Sequence, residues 1–143
     1  MKHKTTLIVR GGGDLASGVI HRLYRCGYQV LVLECAKPSA IRRRVSFGEA
    51  VYDGTSRVEG VTGRLIKDIS ECRKVWDEKE IPILVDENAD AVSELKPDAL
   101  IDAILAKKNL GTTRMMAPLT IGLGPGFTAR VDVDYVVETQ RGH

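Results

Sequence analysis

Apolar and polar positions fall into short blocks along the chain, and their spacing switches between a run and a helical repeat. Thr5–Val9 is an unbroken β-branched and apolar run, the pattern of a strand covered on both faces. Leu15, Val19, Ile20 and Leu23 then recur at helical spacing. Asp14 is expected to cap that helix and Gly27 to close it. Gln29–Leu33 is a second apolar run. Strand, helix and strand in this order form a βαβ unit, which requires parallel pairing.

Beyond Leu33 the pattern is less regular. Val58–Ile66 reads as weakly extended. Asp68–Lys79 reads as a helix through Ile69, Cys72, Val75 and Trp76. Ile81–Val85, Ala99–Leu105, Leu119–Leu123 and Tyr135–Glu138 read as further strands. Alternation of this kind predicts an α/β fold: a Rossmann-like three-layer sandwich with a mostly parallel sheet. Residues 1–143 show no internal repeat and no low-complexity linker, so they are read as a single nucleotide- or cofactor-binding domain. The closing "DYVVETQRGH" comes after a strand with no helix beyond it. The chain is therefore expected to be the N-terminal part of a longer protein, or to complete its sheet through a partner chain, as in a homo-oligomer.

Composition removes several function classes. Hydrophobic residues make up 43% and charged residues 28%, ordinary for a globular domain. A net charge of +2 is too small to point to nucleic acid or an anionic membrane. No run approaches the ~18 apolar residues of a membrane span. The polar start, Met1–Thr6, has no apolar signal segment, so a cytoplasmic protein is expected. Cys26, Cys35 and Cys72 form no CxxC pair, and His3, His21 and His143 lack ligand spacing, so no metal site is expected. Cys26 and Cys72 sit in helical patterns as small apolar residues. Cys35 directly follows Glu34 at a strand end.

The candidate chemistry begins in "RGGGDLA". Gly11, Gly13 and Ala16 fit G-x-G-x-x-G/A between a strand and a helix, with Gly12 between them. Small residues there allow the tight turn, the approach of a pyrophosphate, and close helix–strand packing. Asp14 and Leu15 open the helix, whose first N–H groups attract an anion. Glu34 lies 21 residues after Gly13, where a carboxylate can bind a ribose hydroxyl. A P-loop is excluded, because Val19 follows Gly18 where a lysine is needed. The same glycines also suit a bare turn with no ligand.

Ligands of open α/β sheets bind beyond the carboxyl ends of the strands. Lys107, Lys108 and Asn109 follow one such end, and Gly122, Gly124 and Gly126 form a second possible anion nest. Arg43, with its neighbours Arg42 and Arg44, and Arg114 are candidates to join them. Gly11–Gly13, Glu34, Lys107 and the Gly122–Gly126 loop are expected to face one crevice. No Ser–His–Asp pattern, HExxH motif or Cys–His pair accompanies them, so binding is better supported than catalysis, and whether any step is catalysed stays open.

Six stretches together, "VRGGGDLASGVIHRLYRCGYQVLVLE", "KPSAIRRRVSFGEAVYDG", "VEGV", "DAILAKKNLGT", "APLTIGLGPGF" and "VVETQRGH", resemble the accessory proteins of selenium-dependent molybdenum hydroxylases, the YqeB type. These are similar to the Rossmann part of xanthine dehydrogenase accessory factors. The resemblance implies a role in maturing or inserting the molybdenum cofactor, molybdopterin or its cytosine dinucleotide, with the apo-hydroxylase as partner. Two other readings stay open: an NAD(P)-dependent oxidoreductase and a nucleotide-sensing regulatory domain.

Overall fold

Thr6–Arg10 forms strand β1, and all five of its residues are buried. The computed structural model describes residues 4–39 and 46–139. β1 leads into helix α1 (Asp14–Arg25) and strand β2 (Gln29–Glu34). Next come α2 (Ala50–Asp53), β3 (Thr55–Val58), β4 (Val61–Ile66), α3 (Cys72–Asp77), β5 (Ile81–Val85), α4 (Ala91–Leu95), β6 (Ala99–Asp102), β7 (Leu119–Leu123) and β8 (Tyr135–Val137).

The strands form one eight-stranded sheet in the order β3-β4-β5-β2-β1-β6-β7-β8. Every neighbouring pair is parallel except β3 and β4. β1 and β2 pair in the register Ile8 to Leu31, as the βαβ unit predicted. Successive residues of β1 point to opposite faces. Leu7 and Val9 join a core with Ala16 and Ile20 of α1, Phe47, Ile81 and Ile83. Ile8 joins a second core with Leu31, Leu33, Ile66, Leu100, and Cys72 and Val75 of α3. Two cores on either side of one sheet make the three layers.

Three boundaries differ from the sequence reading, each for a local reason. Val58–Ile66 is not one extended run. Glu59 and Gly60 have φ of 45° and 84°, so the chain turns in two residues and β3 pairs antiparallel to β4. The helix expected from Asp68 begins as a short 3-10 turn over Ile69–Glu71. There the Asp68 side chain takes the Ser70 N–H, and the Glu71 carboxylate takes the Asp68 N–H. β6 stops at Asp102, because that side chain takes the Ile104 N–H at 3.1 Å and turns the chain out of the sheet. Helix α4 went unread because it has only five residues.

From β1 the strands run outward in both directions, through β2 and β5 on one side and β6 and β7 on the other. The segments leaving β1 and β6 therefore part at their carboxyl ends. That is the point at which open α/β sheets hold ligands.

Candidate functional site

The three glycines after β1 do three different things. Gly11 has φ of +100°, and a Cβ there would sit 2.8 Å from the Ala103 carbonyl oxygen. Only glycine tolerates both. Gly12 lies under the segment Ser46–Gly48. Its carbonyl accepts hydrogen bonds from the Gly48 N–H at 2.8 Å, the Ser46 hydroxyl at 2.5 Å and the Ser17 hydroxyl at 3.1 Å. A Cβ on Gly12 would meet the Gly48 nitrogen at 2.9 Å, and one on Gly48 would meet the Gly12 carbonyl at 2.9 Å. These two glycines are required by the packing of the chain against itself. Gly13 is different: nothing lies nearer to its Cβ position than the Ser39 carbonyl at 4.0 Å.

Gly13 is also the N-cap of α1, with no side-chain cap bond, and Asp14 is the first helical residue. The cap expected at Asp14 is thus displaced by one residue. The first bond of the helix runs from the Ser17 N–H to the Gly13 carbonyl at 2.8 Å. The N–H groups before it have no acceptor within the helix. They face a cavity of about 190 Å³ lined by Gly11, Gly12, Gly13, Asp14, Leu15, Glu34 and Lys37, with Ala103 and Ile104 opposite.

Glu34 closes this loop from the second strand. One carboxylate oxygen accepts the Gly12 N–H at 2.7 Å and the other accepts the Cys35 N–H at 2.8 Å. Burial, and secondly the Glu34 carboxylate, push the Cys35 thiol up from its ordinary range, so it stays protonated at neutral pH. Burial pushes Cys72 up to about 12.

A buried polar bridge, missed in the sequence reading, holds the far wall. Arg10 and Asp102 are register partners on adjacent strands, and both are buried. The Thr112 hydroxyl stands between them: it accepts from Arg10 Nη1 at 2.7 Å and donates to Asp102 Oδ2 at 2.6 Å. Arg10 also donates to the carbonyls of Glu87 at 2.8 Å and Leu110 at 3.2 Å. The segment after β6 is thereby tied to β1 and to the end of β5. Charged residues closing two apolar strands were the available signal.

The other expected site residues fall elsewhere. Lys107 and Lys108 are exposed and do not line the cavity. Asn109 bonds both the N–H and the carbonyl of Thr112 at 2.8 Å, closing its own loop. Gly122 faces the Phe127 ring, Gly124 faces the Leu105 side chain, and Gly126 faces the Lys108 backbone. The two glycine loops share the carboxyl edge of the sheet, with residues 103–109 between them. Arg114 lies at the amino end of β7, where it donates to Asp134 Oδ1 at 2.9 Å and to the Arg130 carbonyl at 2.8 Å. That places this candidate outside the crevice, because it precedes a strand instead of following one. Arg43, with Arg42 and Arg44, lies outside the described residues.

A larger open groove, about 890 Å³, runs between α4 and residues 113–118 at the amino ends of β6 and β7, away from the glycine loop. Among the described residues no group of three or more His, Cys, Asp or Glu side chains is placed to hold a metal. No helix among them is long and apolar enough to cross a membrane.

The chain is 52% identical over 137 residues to a protein of Escherichia coli (strain K12) named "Uncharacterized protein YqeB". The match covers 96% of this chain and 25% of the relative, so the chain spans about a quarter of that protein's length. The similarity supports a YqeB-type protein. No family model matches the chain, and no solved structure matches it.

Proposed function

We propose that this YqeB-type chain binds the phosphate groups of a phosphorylated ligand where β1 and β6 part, and that it serves the maturation or insertion of the molybdenum cofactor. The observation that carries the binding reading is the start of α1. Gly13 is open to a cavity, at the strand ends, beside N–H groups that have no acceptor within the helix. The maturation role rests on the sequence motifs shared with the accessory proteins of selenium-dependent molybdenum hydroxylases. The cargo is then a pterin bearing phosphate, or its cytosine dinucleotide, and the receiving partner is an apo-hydroxylase.

The residues present suit one part of such a cargo. Small-molecule sites typically occupy ~300–1,000 Å³. A cavity of about 190 Å³ has the size of a phosphate or pyrophosphate group, not of a whole dinucleotide. Lys37 supplies a positive charge at its edge. Because Glu34 already holds the Gly12 N–H, the ligand is received by Gly13 and the first turn of α1. The NAD(P) reading drew on Glu34 as a ribose ligand; each of its oxygens holds one backbone N–H here and keeps a lone pair that can accept a hydroxyl, so titration and not this contact decides between the two.

The test is a titration panel of CTP, NAD, NADP and isolated molybdenum cofactor. Binding of the cofactor or of CTP, without turnover of either nicotinamide, supports the proposal. Binding confined to NAD or NADP, with hydride transfer, replaces it with the oxidoreductase reading.

A further inference from the structure

The two edges of the sheet are finished differently. β3 closes one side with Thr55, Ser56 and the exposed Arg57. Polar and charged edges of this kind keep strands of other chains from adding on. β8 closes the other side with Tyr135, Val136 and Val137, which carry no charge, and Tyr135 and Val137 are 63% and 48% exposed. We propose that β8 pairs antiparallel with β8 of a second copy of this chain, across a two-fold axis at Val136, and so joins the two sheets edge to edge.

The connections explain why this edge is bare. Residues 124–134, between β7 and β8, hold no helix, and residues 103–118, between β6 and β7, hold only a short 3-10 turn at Arg114–Met116. Met116 and Ala117 pack on the core that contains α3. Tyr135 and Val137 are register partners of Ile121 and Leu123, which pack in the opposite core, that of α1. They carry the apolar face of that core outward into solvent.

The backbone of β8 suits its own copy. The Val137 carbonyl accepts the Gly124 N–H at 2.9 Å, so Val137 bonds inward to β7. Backbone groups alternate along a strand, which turns the N–H and C=O of Val136 to the open side. Across a two-fold axis each Val136 N–H donates to the carbonyl of the other Val136. In that register Tyr135 stands opposite Val137 of the second copy, twice, on one face of the joined sheet. An aromatic ring against a β-branched side chain is a favourable cross-strand pair. The contact is isologous and closes on itself.

The charges fit the same direction. Glu138 is exposed at the carboxyl end of β8. At the amino end Arg114, its side chain 45% exposed, donates through Nε to Asp134 and through Nη1 to the Arg130 carbonyl, and Nη2 takes part in neither bond. Antiparallel pairing brings Glu138 of one copy opposite Asp134 of the other, on the same face and beside that guanidinium. Its several donors can serve two carboxylates. A parallel strand added to this edge would bring its amino end, not its carboxyl end, to Arg114. Three paired residues a side make a small contact, so the association is expected to be weak, in the micromolar range.

The test is the oligomeric state of the chain, read by sedimentation equilibrium. The wild-type chain is expected to show a monomer–dimer equilibrium. Tyr135→Lys, at an exposed position, is expected to keep the melting temperature and to raise the dissociation constant at least about tenfold, because it puts a charge on the edge. Cross-linking reads the register, in a Cys26→Ser background that removes the exposed native thiol. Val136→Cys is expected to form an intermolecular disulfide on mild oxidation, because opposed hydrogen-bonded residues have Cα atoms about 5.5 Å apart, inside the disulfide range. Tyr135→Cys is expected not to, because the two copies of that position lie about 8 Å apart, past the ~7 Å limit. If Tyr135→Lys does not fold, the cross-linking decides alone. A dimer indifferent to Tyr135→Lys, no disulfide at Val136→Cys, or one that forms as readily at Tyr135→Cys overturns the inference. A chain that stays monomeric up to about 1 mM also overturns it and leaves the edge to a strand of a different protein.

Discussion

Two glycine-rich loops leave the carboxyl ends of parallel strands, one after β1 and one after β7, and they have different fates. The first runs into a twelve-residue helix and leaves Gly13 open to a cavity. The second meets no helix: Gly122, Gly124 and Gly126 are packed against Phe127, Leu105 and Lys108. Glycine content alone therefore does not make a ligand loop. The element that the glycines lead into decides whether their space stays open or is filled by the chain. Within the first loop the same contrast recurs, because Gly11 and Gly12 serve the fold and Gly13 faces the cavity.

Substitution at the two loops sharpens this contrast. Gly11→Ala is expected to destabilise by about 4 kcal/mol, since positive φ and a fixed backbone oxygen at 2.8 Å leave no room to relax. Gly124→Ala also sits at positive φ, but its contact is the end of the flexible Leu105 side chain. It is expected to lose only about 1–2 kcal/mol. Urea unfolding of both variants checks the order, and equal losses would break the comparison. Thr112→Val removes the hydroxyl between Arg10 and Asp102 and leaves two buried charged groups short of a partner. A loss of about 3 kcal/mol is expected by the same measurement. A loss below about 1 kcal/mol would mean that the bridge does not hold the wall of the crevice.

Smaller effects separate the surface from the site. Lys107→Ala is expected to change stability by no more than about 0.5 kcal/mol. It should leave ligand affinity within about twofold, because Lys107 is exposed and outside the cavity wall. Calorimetric titration checks this, and a tenfold loss of affinity would bring the segment after β6 into the site. The smallest effect concerns acid. The Asp134 carboxyl is held below its usual range, first by the Thr120 N–H and then by Arg114. Just before α3, Asp68 is lowered by Ser70, first through its side chain and then through its N–H, and Glu71 by the N–H groups of Lys67 and Asp68. A carboxyl depressed in the folded state stabilises at pH above its ordinary value of ~4, and that contribution is lost as pH falls through the lowered value. Hydrogen exchange between pH 5 and pH 3 is expected to show β7 and β8 loosening before β1 and β2. Asp134→Asn should reduce that pH dependence.

The parallel sheet was legible because its central strands are apolar runs, and the βαβ unit because helical spacing sits between two of them. The first glycine loop was legible through Gly11, Gly13 and Ala16. Its inner division was not, since nothing local to "GGG" reveals that Gly48, 36 residues away, will lie on Gly12. Glu34 was placed correctly at the end of β2, but its hydrogen bonds to Gly12 and Cys35 are tertiary facts. Lys107, Lys108 and Asn109 follow a strand end as read, yet the turn closed by Asn109 and Thr112 leaves both lysines exposed and outside the cavity. Strand-end position narrows the candidates, and the local turn decides which of them line the cavity.

The central claim is that Gly13 and the start of α1 receive ligand phosphate, and Gly13→Val tests it most directly. The added side chain begins in open space at an extended N-cap, φ −74° and ψ −166°, which valine adopts without strain. The variant is therefore expected to fold with an unchanged melting temperature while filling the place of the phosphate. Isothermal titration with inorganic pyrophosphate, and with the tightest ligand of the panel, is expected to show affinity lowered by at least about tenfold, ~1.4 kcal/mol. Unchanged affinity in the folded variant would contradict the claim and leave all three glycines as elements of the turn.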